Sequence, residues 1–189
     1  MTGRIEQIQH YYGIQIRWVA FPLHPEIPAH GLSLEALFRG HAFNLAAARS
    51  RLEQEARRLG LPYGDRQMTY NSRKAQELGK WAETRGKGAA FHTSVFQAYF
   101  VHGRNIALPA TLMSICDDIG LAADAAAEAL DDPSYAAAVD RDWQRSRTEA
   151  VTAAPTFMAG GRRLVGAHPY AAIEKLVVAA GAEKRPPAE

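Results

Sequence analysis

The strongest constraint on this chain is a change of period. From Ser33 to about Leu130 apolar residues recur at helical spacing almost throughout, whereas strand-like patterns are confined to short stretches on either side of that block. Upstream, Ile14-Gln15-Ile16-Arg17-Trp18-Val19-Ala20-Phe21 alternates apolar and polar residues and then turns wholly apolar, which predicts a strand entering an interior. Pro22, Pro25 and Pro28 end it in an extended loop. Downstream, Thr156-Phe157-Met158-Ala159 and Arg162-Arg163-Leu164-Val165 flank Gly160-Gly161, the pattern of two short strands joined by a tight hairpin. The order is helix, strand, helical block, strand, strand, helix, with no internal repeat, and the fold class is α/β.

Caps and breakers divide the helical parts. Ile5, Ile8 and Tyr12 share one face of an opening helix that ends at Gly13. Ser33 starts the central block as a capping residue, and a helix over about 44–59 is closed by Gly60-Leu61-Pro62-Tyr63-Gly64. The next starts after Asn71 or Ser72, while Gly86-Lys87-Gly88, Gly103 and Pro109 mark later ends. Asp132-Pro133-Ser134 opens a helix that carries Tyr135, Val139, Trp143 and Ser146 toward a core. Pro169 opens the last one, with Ile173, Leu176 and Val177 on one side, and 184–189 is predicted to be a frayed polar tail.

Composition removes several functions. With 189 residues, 47% of them hydrophobic, one ordinary core needs no metal or disulfide staple. Twenty-two basic residues face 20 acidic ones, interspersed, so no field for nucleic acid or anionic lipid arises. The first residues lack the apolar core and cleavage site of a signal peptide, and no apolar run approaches a membrane span, which points to a cytoplasmic protein with no membrane partner. Cys116 is the only cysteine, which excludes an intrachain disulfide, a CxxC motif and a multi-cysteine zinc site. It lies in an apolar helical stretch before Asp117 and Asp118, so it reads as a small core residue. His24, His30, His41, His92, His102 and His168 form no ligand pair at helical spacing, so no metal site is expected.

Pro155 precedes the Thr156 strand, where a proline is tolerated because no ladder donor is needed. Its surroundings say more. The run Val151-Thr152-Ala153-Ala154-Pro155-Thr156-Phe157, the Gly-Gly hairpin, Leu164-Val165-Gly166-Ala167 and the final helix resemble the cis-proline segment and C-terminal half of the DsbA-like thioredoxin-fold family. Trp18-Val19-Ala20-Phe21-Pro22-Leu23-His24-Pro25, Tyr70-Asn71-Ser72-Arg73-Lys74-Ala75, Phe96-Gln97-Ala98-Tyr99-Phe100 and Asn105-Ile106 are similar to its cytosolic branch, so nearly the whole chain is covered.

The resemblance implies a thioredoxin-like core from residues 1–30 and 150–182, a large helical insertion over 31–149 and a disordered tail over 183–189. It implies thiol:disulfide oxidoreductase ancestry, with Ala154 and Pro155 presenting backbone to an extended peptide or thiol-containing substrate. Such proteins carry Cys-x-x-Cys at the start of the first helix, after a central strand. This chain begins like the middle of that helix, so both would lie upstream of Met1. The resemblance therefore implies an N-terminally truncated, redox-inactive form needing no cofactor, and a homodimer that exchanges a strand is compatible with the gap. A serine in place of the first cysteine would instead imply a glutathione-dependent isomerase or transferase of the kappa or 2-hydroxychromene-2-carboxylate type, with glutathione as cofactor. A third alternative is a non-catalytic peptide-binding module. Asn71 reads as a helix cap or as a polar ligand-facing corner, and His24, in the proline loop, is the histidine placed to face a site. Phe91, Phe96, Tyr99 and Phe100 are expected in the core.

Overall fold

The structure, a computed structural model, describes residues 2–40, 42 and 44–186; His41 and residues 187–189 lie outside the described residues. In chain order the elements begin with α1 (Thr2–Tyr11), β1 (Leu32–Ser33), α2 (Leu34–Leu37), α3 (Leu45–Arg58) and β2 (Met68–Thr69). Then come α4 (Arg73–Thr84), α5 (Gly88–Phe96), a π-helical turn (Gln97–Val101), α6 (Pro109–Asp118) and α7 (Ala123–Asp131). The chain closes with α8 (Pro133–Thr148), β3 (Thr156–Ala159), β4 (Arg162–Val165) and α9 (Tyr170–Ala179). Two compact units result, Met1–Leu23 with Arg141–Glu189, and His24–Asp140, a division at 24 and 140 where the sequence suggested 31 and 149.

In the first unit, α1 and α9 meet through Ile8, Tyr12, Ile173 and Val177, with Ile14, Phe157, Leu164 and Tyr170 packed around them. The periodicity of Ile5, Ile8 and Tyr12 puts all three on the buried side. Tyr12 donates its hydroxyl to Glu174 Oε1 at 2.7 Å. Burial, together with that carboxylate, pushes the phenol up to about 12. β3 and β4 pair antiparallel, Phe157 opposite Leu164, across Gly160 and Gly161 at φ 54° and 72°. Those two left-handed residues are what a type I′ turn demands and what glycine supplies without strain.

Residues 14–21 are not a strand. A ladder needs a neighbour, and among the described residues nothing pairs with this segment. A carboxylate on α8 holds it instead: Asp142, only 3% exposed, accepts the Ala20 N–H at 2.9 Å and faces Arg17 at 3.7 Å. Residues 183–185, expected in a tail, lie along the end of α1. Tyr12 bridges Lys184, the Gly13 N–H donates to Glu183 O, and the Arg185 N–H donates to Tyr11 O at 2.8 Å.

The second unit has its own core. α4 turns Ala75, Leu78, Trp81 and Ala82 inward onto Phe91, Val95, Leu112, Ile115 and Cys116. Each fully buried apolar side chain of this size contributes roughly 1.5–3 kcal/mol. Arg73 clamps α4 to the first half of α8, donating to Glu77 Oε1 at 2.6 Å, Asp140 Oδ1 at 2.7 Å and Ala136 O at 2.9 Å. Ser33 and Asn44 cap α2 and α3 with side-chain oxygens that accept from Ala36 and Ala47. The helical block also holds a short ladder, β1 against β2.

Two of the four aromatics expected in the core are exposed, Phe96 by 40% and Phe100 by 38%. Phe96, in the last turn of α5, lies about 140° round the helix from the buried Phe91, while the π-helical turn at Gln97–Val101 fits an extra residue into one turn and so rotates Phe100 away from the face that 3.6-residue spacing predicts. Gly64 sits against that turn, its N–H donating to Phe100 O at 3.0 Å, and a Cβ there would collide with Val101 O. α3 is unusual among the described helices: none of its fourteen residues is buried.

A candidate peptide-binding loop and edge

The loop from Glu149 to Pro155 joins α8 to β3 and is held at both ends. Ala150 takes a left-handed φ of 48°, unfavourable for a residue with a Cβ. Three bonds fix it there. The Val151 N–H donates to Ser146 O at 2.8 Å, and the Arg163 guanidinium donates to Ala150 O at 3.0 Å and also to Glu149 O. Further on, Thr156 Oγ1 donates to Ala153 O at 2.6 Å, and Pro155 O accepts from Gly166 N at 2.8 Å. The peptide between Ala154 and Pro155 is cis.

Ala154 is left exposed by this bracing, and among the described residues its N–H and C=O take no hydrogen bond. The bond from Gly166 to Pro155 sets the alternation of the ladder: residues 155, 157 and 159 address β4, so the main-chain groups of Thr156 and Met158 point the other way. Among the described residues no strand lies on that side. Ala154, Thr156 and Met158 thus present a short row of free main-chain donors and acceptors. Such a row recognises extended chain without regard to side-chain chemistry.

Asn71 and His24 belong to the other unit. Asn71 spends its side chain locally: Nδ2 donates to Pro25 O at 3.0 Å and Ile27 O at 2.8 Å, and Oδ1 accepts the Arg73 N–H at 2.8 Å. It forms an Asx turn across Ser72, the N-cap of α4, and pins the proline loop at once. Asn105 does the same from below α6, donating to Ala29 O at 2.8 Å while accepting from the Ala107 N–H. An Asx turn before a proline-initiated helix was the available signal for Asn105. The His24 ring faces the Glu26 carboxylate at 3.3 Å on the surface of the same loop.

Cys116 is fully buried, and burial, reinforced by the Asp117 carboxylate, pushes its thiol up to about 11. At neutral pH roughly one molecule in ten thousand would hold the thiolate that thiol exchange requires. No described helix is long and apolar enough to cross a membrane.

The chain matches the family model of the DSBA-like thioredoxin domain over residues 1–178. Its structure is similar to that of a probable DsbA oxidoreductase from Streptomyces coelicolor, with TM-score 0.84 and 22% identity over 98% of this chain and 85% of that one. It is also similar to a 2-hydroxychromene-2-carboxylate isomerase, TM-score 0.70 and 21% identity over 95% and 86% of the two chains. The cytosolic disulfide reductase DsbM from Pseudomonas aeruginosa, solved with GSH, gives TM-score 0.63 and 19% identity over 94% and 91%. At these identities the likeness is one of fold. No curated protein matches the chain.

Proposed function

This chain belongs to the DSBA-like thioredoxin domain family, and from that premise we propose that it binds extended peptide at Ala154–Pro155 and the open edge of β3, without dithiol chemistry of its own. One observation carries the reading: the exposed Ala154, with both main-chain groups unengaged, continues into the outward-facing groups of Thr156 and Met158. With a single buried cysteine the chain has no second thiol to resolve a mixed disulfide. On this reading peptide is held by main-chain groups alone, with no redox step supplied by these 189 residues. The likeness to a cytosolic reductase supports a cytoplasmic setting.

Met158→Pro tests this directly. It deletes a donor that faces away from β4, so the hairpin keeps its bonds while an incoming strand loses one. A hydrogen bond of about 0.5–1.5 kcal/mol corresponds to a roughly 2- to 10-fold weaker Kd for unstructured peptides in calorimetric titration. Failure of the unaltered chain to bind any unstructured peptide, or equal affinity in the variant, would overturn the reading.

Glutathione, itself a short extended peptide, is a second ligand for the same row, favoured by the likeness to an isomerase of the 2-hydroxychromene type and to a reductase solved with GSH. Under this isomerase or transferase reading, glutathione binds and longer peptides do not.

A further inference from the structure

The amphipathic helix α3 has no buried residue, although most helical stability comes from packing an apolar face. Leu45, Ala48, Leu52 and Ala56, followed by Leu59 at its C-cap, form an apolar stripe: at 100° per residue all five fall within about 40° of Leu52, while Ala46 and Ala47 lie off it. Leu52, at the middle, is 55% exposed, the other four stripe residues are half-buried, and Leu61 just beyond the helix is exposed beside Ala56 and Tyr63.

This stripe reads the same in both directions. Counted from Leu52, Ala48 and Ala56 lie four residues away on either side, and Leu45 and Leu59 seven. A copy of the helix laid antiparallel, with Leu52 on Leu52, therefore sets leucine against leucine and alanine against alanine. The alanines let the two backbones approach. The flanks also match. On one side of the stripe lie Arg49 and Glu53, on the other Arg51 and Glu55. Reversal brings Arg49 level with the partner's Glu53, and Arg51 level with the partner's Glu55, each within about 3 Å along the axis. Four complementary pairs then border one apolar seam.

We propose that α3 is a homodimerisation helix that packs antiparallel on a second copy of this chain, about a two-fold axis through Leu52. An isologous contact of this kind requires a self-complementary surface, and the palindrome of size and charge supplies it. In the single chain Glu55 pairs with Arg58 at 2.7 Å and Arg49 with Asp65. Exposed pairs such as Glu55–Arg58 are worth little, so sharing that carboxylate with a partner opposes association weakly.

Sedimentation velocity over a concentration series tests the proposal. The unaltered chain should shift from monomer to dimer as concentration rises, and Leu52→Glu should stay monomeric with an unchanged far-ultraviolet circular dichroism spectrum. Arg51→Glu and Glu55→Arg should each weaken self-association, since each sets like charges against each other. Mixed one to one they should dimerise again, because the mixed pair restores both contacts. A monomer at up to about 1 mM, a dimer indifferent to Leu52→Glu, or a mixture no better than its parts would each overturn it.

Discussion

Asp142 replaces a missing ladder, so its removal reports on how the segment around Ala20 is held. In Asp142→Ala the Ala20 N–H loses its acceptor beside a buried position, and a hydrogen bond to a charged group is worth about 1.5–3 kcal/mol. The Arg17 contact adds little, since that side chain is 69% exposed. For a chain of this length each kcal/mol moves Tm by about 2–4 °C, so a fall of roughly 3–12 °C is expected in thermal unfolding followed by circular dichroism. Asp142→Asn keeps an oxygen for Ala20 and should recover most of the loss. Arg17→Ala should change Tm by no more than about 4 °C. An Asp142→Ala variant as stable as the parent would refute the assignment of Ala20 to this carboxylate.

Cys116 makes stability fall at alkaline pH. Its thiol is held near 11 in the folded chain against about 8.5 unfolded, so the unfolded state releases its proton first, and stability present below pH 8.5 is lost as pH rises toward 11. Urea midpoints measured between pH 8 and 11 should show a steeper decline for the parent than for Cys116→Ala. In the folded chain at pH 8 a thiol reagent should label Cys116 far more slowly than in denaturant, and equal rates would contradict its burial. Gly64→Ala drives a methyl group into Val101 O and should destabilise by about 1–3 kcal/mol, read as a lower urea midpoint. Arg163→Ala frees the carbonyls of Glu149 and Ala150, so peptide affinity should drop several-fold while Tm moves little; unchanged affinity would show that the loop needs no such brace.

Features encoded within a few residues were legible in the sequence. Gly160-Gly161 announces its turn because both positions need a left-handed backbone. Asn44 and Ser33 announce helix starts through side chains that reach the next turn. Leu78, Trp81 and Ala82 keep one period and one face. Features that depend on a distant partner were not legible. Residues 14–21 have strand composition, yet a strand is a relation between segments, and the group that holds Ala20 lies 122 positions away. Phe100 misled because the π-helical turn changes the period itself, whereas Phe96 precedes that turn and lies five residues past the buried Phe91, about 140° round the helix from it. Asn71 was half legible: the Asx turn to Arg73 is local, with Ser72 and not Asn71 at the N-cap, whereas the ties to Pro25 and Ile27 span more than forty residues.

The open side of β3 is short by construction. β3 begins at Thr156 and Gly160 turns the chain away at its other end, leaving four residues and roughly 13 Å of edge. A visiting strand finds two donors and two acceptors there and then runs out of register. That length suits a guest that comes and goes, and it denies a growing fibre the uninterrupted template it would need.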